Sequence, residues 1–543
     1  MQKKNIGFIE SLNYPSKNLR ILGKEPISVP RDPLINNFES FAGKKVNPKN
    51  FYYALFFTVF DVRDYGTEIN KFIKIFEPLN LKRIYLETYR DGFFIEENLI
   101  INTKKYLEKK GFKVSGAITT THLSEKNQYN EYHSPTSCYT DKSTLKRLKS
   151  IFEKTAAIFN EIIIDDWYFT VCECPVCKKQ KGKLDWSEFR CKLMYDVARK
   201  YIIEPSKKIN NKINLILKLP QWYEKFHIYG YDLEKLIPVF DEIAVGTETR
   251  DFRNQSFMPV HGALLFRYIK NLAQEKVKRA WFDIYLTDEK IFSEQAYQSI
   301  LGGAKEIILF CAGILPQELE RKKVEKLIEN TEKFDRMSGF SKIFSIPILR
   351  KTNTEGDLKL HQYFLMIGIP AYLTDNLNIK EKIVILTAQS EKENFQEIFN
   401  KFINSGKNMV ITLSVAKEIK KYFNVKKLKN PVKVNTVKYN AREMEIKGNI
   451  FIKEEIVNGK GLALLNNAYN YVTYFKIKES MIWAVNFPYS TDEIISPEGK
   501  KISSDYRYLL HNPGLTVILK DIFSSFSNVS LYDKIKTFYK YEI

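Results

Sequence analysis

Four short stretches of the chain set carboxylates beside arginines and large aromatics: Glu87-Thr-Tyr89-Arg90-Asp91, Asp165-Asp166-Trp167, Gly246-Thr-Glu248-Thr-Arg250-Asp251 and Trp281-Phe-Asp283-Ile-Tyr285. Two carboxyl groups on opposite sides of a bond can serve as acid and as nucleophile or base, which is what hydrolysis of a glycosidic bond requires. Aromatic rings give flat platforms for sugar faces, and Trp167, Trp222, Tyr223 and Trp281 all fall near the tips of expected strands. Adjacent side chains of a strand point to opposite sides, so at most one of Asp165 and Asp166 is the reacting group. Arg250 next to Asp251 also reads as a structural ion pair. The catalytic candidates are Asp166, Asp283 and Glu248. Glu87, Arg90, Asp165, Trp167, Arg250 and Trp281 are expected to hold substrate.

A second chemistry sits just downstream of Asp166. Cys172, Cys174 and Cys177 form a C-x-C-x-x-C run, and Cys138 lies in an earlier loop. Four thiolates at this spacing can close a tetrahedral zinc site. Such a site has no open position for water, so the metal is expected to be structural. Cys191 is the alternative to Cys138 as fourth ligand; otherwise Cys191 and Cys311 read as core thiols. His122, His133, His227, His261, His361 and His511 are scattered and offer no paired ligand spacing. His122 stands at a strand tip and is either a substrate contact or a satisfied polar residue.

These groups need a scaffold that brings strand ends together. From residue 51 short apolar strands alternate with amphipathic helices, with strands expected at 51–61, 83–89, 113–121, 161–168, 213–219, 242–249, 279–285 and 306–311. The helix before the fourth strand carries Leu145, Leu148, Ile151, Phe152, Ala156 and Phe159 on one face, with Ser143 or Thr144 as its cap. Eight such units predict a (β/α)8 TIM barrel, whose sites are built from the C-terminal strand ends where the acids lie. An open doubly wound sheet is the rival, but no Gly-rich phosphate fingerprint follows the first strand. The remainder divides into a linker helix (316–340), a Rossmann-like α/β unit (341–430) and a small β-sandwich (431–543). Residues 1–50 are expected to wrap the barrel (51–315).

The layout resembles glycoside hydrolase family 42, the β-galactosidases, as a distant and distinct relative. The likeness rests on Ser134-Pro-Thr-Ser-Cys138-Tyr after the third strand, the C-x-C-x-x-C after the fourth, and acids just before it. It also rests on the order of barrel, amidotransferase-like α/β domain and C-terminal β-domain. The resemblance implies zinc on the four cysteines, an acid/base at Asp166, a seventh-strand nucleophile at Asp283, and a homotrimer assembled through the middle domain. Two departures stand against carrying over β-galactoside specificity. The family has Asn-Glu where this chain has Asp165-Asp166, and a glutamate where it has Asp283, so both carboxyl arms are a methylene shorter. No cysteine follows Cys311, so the amidotransferase-like domain has no thiol nucleophile for glutaminase chemistry.

Bulk properties set the remaining bounds. A chain of 543 residues needs more than one core. No apolar run reaches the roughly 20 residues of a membrane span, and the N-terminus shows no signal peptide, so no membrane association is expected and the location is read as cytoplasmic. Six cysteines in this length favour a metal cluster in a reducing compartment over a disulfide scaffold. The net charge of +21 invites a nucleic-acid reading. The lysines alternate with glutamates, however, as on solvated helix faces of a thermophile. The function expected is a glycoside hydrolase acting on a carbohydrate of unspecified sugar; the alternative is a non-catalytic carbohydrate-binding or assembly barrel.

Overall fold

The computed structural model describes residues 21–22, 25–26, 35, 38–123, 136–250, 257–338, 345–491, 493–495, 501–503, 506, 508–524 and 526. Most of the expected N-terminal wrap, together with Asp251 and His133, lies outside them. The chain divides into two compact units, one of residues 1–251 and 273–339, the other of residues 252–272 and 340–543.

The first unit is a closed barrel of eight parallel strands: β1 (Tyr52–Phe57), β2 (Arg83–Arg90), β3 (Lys113–Ile118), β4 (Glu161–Ile164), β5 (Asn214–Leu219), β6 (Glu242–Gly246), β7 (Val277–Asp283) and β8 (Glu306–Phe310). Sequence neighbours pair all the way round, and β1 closes the ring by pairing with both β8 and β2. The TIM-barrel expectation therefore holds. Strands covered on both faces carry unbroken apolar runs, and Ile162, Ile163 and Ile164 in β4 are completely buried.

Several strands end earlier than expected, because the next residues give their backbone groups to side chains. Thr58 ends β1 by capping the helix Val59–Tyr65. Its hydroxyl accepts the Asp61 amide at 3.1 Å, and the Asp61 carboxylate accepts the Thr58 amide at 2.8 Å, a capping box. Past β4, the Asp166 amide donates to Asp165 Oδ1; past β6, the Thr249 amide donates to Gln295 Oε1. The helix before β4, Lys142–Ile158, is capped by Asp141, which accepts the Thr144 amide, and not by Ser143 or Thr144.

The N-terminal end of the barrel is filled by charge. Arg83, Glu161, Glu242 and Glu306 are the first residues of the even-numbered strands. Alternate strands contribute the side chains of one interior layer. Arg83 pairs with Glu161 and Glu306, and Arg279 of β7 pairs with Glu161, Glu242 and Glu306. The hydroxyls of Tyr52 and Tyr85 donate to Glu306. This ionic layer closes one end and leaves chemistry to the other.

The second unit opens with parallel strands β9 (Ile346–Leu349), β10 (Ala371–Thr374), β11 (Ile383–Leu386) and β12 (Asn408–Thr412), in the order β10-β9-β11-β12. That is a doubly wound, Rossmann-like arrangement, with the helix Phe395–Asn404 burying Phe395, Ile398, Phe399, Phe402 and Ile403. The structure adds something to the expected boundary at 430/431. The strand Ser480–Val485 pairs in parallel with β12, and antiparallel strands at 469–477, 460–465, 436–439 and 442–445 continue the same nine-stranded sheet. A separate three-stranded sheet joins Val425–Lys433, Ile450–Ile456 and Tyr489–Ser490. The helix His261–Ala273, which follows β6, groups almost entirely with this second unit. There Asn271 donates to the Leu373 carbonyl, and Arg350 donates to the Tyr268 hydroxyl.

Candidate active site

At the C-terminal end of the barrel a pocket with about 510 Å³ of open space is lined by Asp165, Asp166, Trp167, Phe169, Lys218, Gln221, Trp222, Glu248, Arg250, Trp281, Asp283 and Phe310. Seven of the nine residues singled out for catalysis or substrate binding thus meet in one place. Glu87 and Arg90 do not line it. Both side chains are fully buried behind Asp165, where Arg90 pairs with Glu87 at 2.9 Å and with Asp165 at 3.0 Å.

The two aspartates after β4 divide their roles. Asp165 is anchored, with Arg90 and Thr119 on Oδ2 and the Asp166 amide and Lys218 ammonium on Oδ1. Burial would raise its pKa, but Lys218 and Arg90 outweigh it and hold the carboxyl down at about 2. Asp166 keeps 18% of its side chain exposed. Burial pushes it up to about 8, against the pull of Lys218, and the negative charges of Asp165 and Glu248 add to the rise. A carboxyl of this kind holds its proton at neutral pH and can deliver it to a leaving group.

Lys218, on β5, organises the floor. Its ammonium lies 2.8 Å from Asp166 Oδ2, 2.8 Å from Glu248 Oε1 and 3.3 Å from Asp165 Oδ1, and 4.3 Å over the centre of the Trp281 ring. Two oxygens each 2.8 Å from one nitrogen are at most twice that, 5.6 Å, apart. Glu248 Oε2 is buried with no hydrogen-bond partner among the described residues. Gly246 allows the carboxylate to lie there, since a Cβ at that position would meet Glu248 Oε2 at 2.5 Å. Asp283 is more fully occupied. Its Oδ2 pairs with Arg250 and its Oδ1 accepts the Tyr285 amide at 3.0 Å. Burial raises Asp283 to about 6, with Arg250 opposing.

The aromatic platforms are present. Trp281 stacks on Phe310 at 5.4 Å, Trp167 stacks on Phe169 at 5.8 Å, and Trp222 meets Phe169 edge-on. Tyr223, proposed alongside them, is buried and does not line the pocket. His122 is also buried away from it, its carbonyl accepting the Tyr89 hydroxyl. Lys218 was missed by sequence reasoning. The available signal was a lone lysine in the otherwise apolar strand Asn214–Leu219, two residues before its turn.

A family model described as the probable glycosyl hydrolase catalytic domain matches residues 41–346. The chain belongs to this family. It is a glycosidase, and the expected resemblance to a glycoside hydrolase family is borne out at that level. An uncharacterized protein of Saccharolobus solfataricus is 29% identical over 408 residues, covering 68% of this chain and 67% of that protein. An α-L-fucosidase isoenzyme from Paenibacillus thiaminolyticus shares the fold with a TM-score of 0.59 at 10% identity, over 87% of this chain and 84% of that one. An exo-carrageenase of family 42 from Bacteroides ovatus aligns with a TM-score of 0.40 at 8% identity, over 86% of this chain and 84% of that one.

The glycosidase barrel also brings its cysteines together. The sulfurs of Cys138, Cys172, Cys174 and Cys177 all lie within 4.8 Å of one another, and Cys138 Sγ is 3.8 Å from Cys174 and 3.7 Å from Cys177. Zn–S bonds of about 2.3 Å in a tetrahedron set sulfurs about 3.8 Å apart, so the donor set fits zinc. Cys191 is not part of the cluster; its thiol donates to the His227 carbonyl, and the alternative ligand set is thereby corrected. Cys174 also caps the helix Pro175–Lys181. Among the described residues no helix is long and apolar enough to cross a membrane.

Proposed function

We propose that this glycosidase cleaves O-glycosidic bonds with Asp166 as general acid/base and Glu248 as the second carboxyl, acting as nucleophile in a retaining reaction. The observation that carries the pairing is the shared hydrogen bonding of Asp166 and Glu248 to the Lys218 ammonium. It keeps the two bound oxygens no more than 5.6 Å apart, short of the roughly 6.5 Å or more that an inverting water needs and compatible with the about 5–5.5 Å of retaining enzymes. Asp166 supplies the proton. Glu248 offers an oxygen with no competing partner among the described residues, whereas both oxygens of Asp283 are engaged. In this reading Asp283 fixes Arg250, and Arg250, Trp167, Trp281 and Trp222 contact the sugar.

The test is hydrolysis of a panel of α- and β-aryl glycosides and natural oligosaccharides, β-galactosides included, by wild type, Asp166→Ala, Glu248→Ala and Asp283→Ala. The expected result is turnover in wild type, loss of about 10³-fold or more in the first two variants, and a smaller loss in Asp283→Ala. Full activity in Glu248→Ala sinks the pairing. Silence of the wild type across the panel favours a binding barrel without turnover.

Zinc on Cys138, Cys172, Cys174 and Cys177 is proposed as a structural pin for the loop that follows Asp166. The thiolate set supports a reducing, cytoplasmic setting. A homotrimer is proposed on the resemblance to family 42, and a lysine- and glutamate-rich surface agrees with a thermophilic source.

A further inference from the structure

A buried lysine among the reacting carboxyls is an unusual expense of desolvation, and its geometry gives it a task. Lys218 is 3% exposed and touches three carboxylates from two different strand ends. We propose that Lys218 is a positioning residue whose ammonium fixes the separation of Asp166 and Glu248 and decides which of the clustered carboxyls keeps a proton. The inference rests on the assignment of Asp166 and Glu248 as the reacting pair.

Every charged group facing the cluster bears on this. From β2 come Glu87 and Arg90, of which Arg90 pairs with Asp165. From the β4 end come Asp165 and Asp166; from the β6 end, Glu248 and Arg250; from β7, Asp283, which Arg250 neutralises. The Tyr231 hydroxyl donates to the Asp166 carbonyl at 2.7 Å. Asp165 has two cations, Arg90 and Lys218, whereas Asp166 and Glu248 have only Lys218 as an ion-pair partner among the described residues. One ammonium shared by two carboxyls stabilises one negative charge better than two. Asp166, buried and additionally repelled by Asp165 at its side, is the one that keeps the proton. Lys218 itself remains protonated, held well above its usual range despite burial because Asp166, Glu248 and Asp165 surround it. It is therefore an ammonium anchor and not an amine nucleophile.

The test compares wild type, Lys218→Met and Lys218→Arg by two readouts. The first is infrared detection of the protonated carboxyl band against pH, with Asp166→Asn to identify the band. The second is the pH profile of kcat/KM on an aryl glycoside from the panel. Loss of the cation raises both carboxyls, so Lys218→Met should move the Asp166 band and both limbs of the profile to higher pH by about one unit or more, with kcat about 10²-fold lower. Lys218→Arg should keep both limbs in place and lose about tenfold in kcat, because a planar fork cannot reproduce the three-way contact of an ammonium. An unmoved band and unmoved limbs in folded Lys218→Met overturn the proposal. Should that variant not fold, Lys218→Arg decides, and displaced limbs or an unchanged kcat overturn it. A band that moves in Lys218→Met while Asp166→Ala stays active leaves the ammonium bridge standing and removes the assignment of the reacting pair.

Discussion

At the residue scale, the pocket separates groups that carry the same charge by giving them different partners. Asp165 and Asp166 are adjacent in the chain, yet one is held at about 2 and the other raised to about 8. With Asp166 as the proposed acid, which must be protonated to assist departure, hydrolysis of poor leaving groups should decline as pH rises through about 8. A dinitrophenyl glycoside, which leaves without protonation, should not show that limb in the glycosylation step. Burst and steady-state rates of the two substrates across pH check this, and identical limbs contradict it. Much of this site was legible in advance, since carboxylates, arginines and tryptophans recur at strand tips. The partnering was not legible. Lys218 lies 30 residues before Glu248 and 52 after Asp166, and only the closed ring brings them to one point.

At the element scale, the cysteine loop and the ends of the strands do the positioning. The C-x-C-x-x-C begins six residues after Asp166, so a zinc on its thiolates would restrain the chain that carries the proposed acid. Metal analysis of the purified protein should give one zinc per chain. Chelation, or Cys177→Ser, should lower the melting temperature by several degrees and reduce activity, as expected when a structural zinc is lost; a metal-free protein of unchanged stability contradicts the structural role. Cysteine spacing revealed this cluster because three thiols stand in one C-x-C-x-x-C run, a recurrent zinc-ligand spacing. Strand ends were less legible. Apolar residues resume just past Phe57, and β-favouring threonines follow Gly246, yet beyond each strand a backbone amide is captured by a side chain, that of Thr58 by Asp61 and that of Thr249 by Gln295.

At the scale of the whole molecule, the barrel could be read from eight strand–helix units because most strands are largely buried and several carry apolar runs such as Ile162-Ile163-Ile164. The second unit was harder. Its parallel strands were legible, but the pairing of Ser480–Val485 with β12 joins segments some 70 residues apart, and local periodicity does not encode such a partner. The same unit is where the resemblance to family 42 puts trimer contacts. Sedimentation equilibrium should therefore find three chains per particle at micromolar concentration, and a monomer across that range would remove this part of the reading.

The most direct test of the account is azide rescue, run on whichever glycoside of the panel the wild type hydrolyses. Glu248→Ala should be nearly inactive and should regain turnover with azide, releasing a glycosyl azide of opposite anomeric configuration to the substrate. Asp166→Ala should instead give the azide of retained configuration. Rescue confined to Asp283→Ala, with Glu248→Ala turning over as wild type, would contradict the assignment of Glu248 and move the nucleophile to β7.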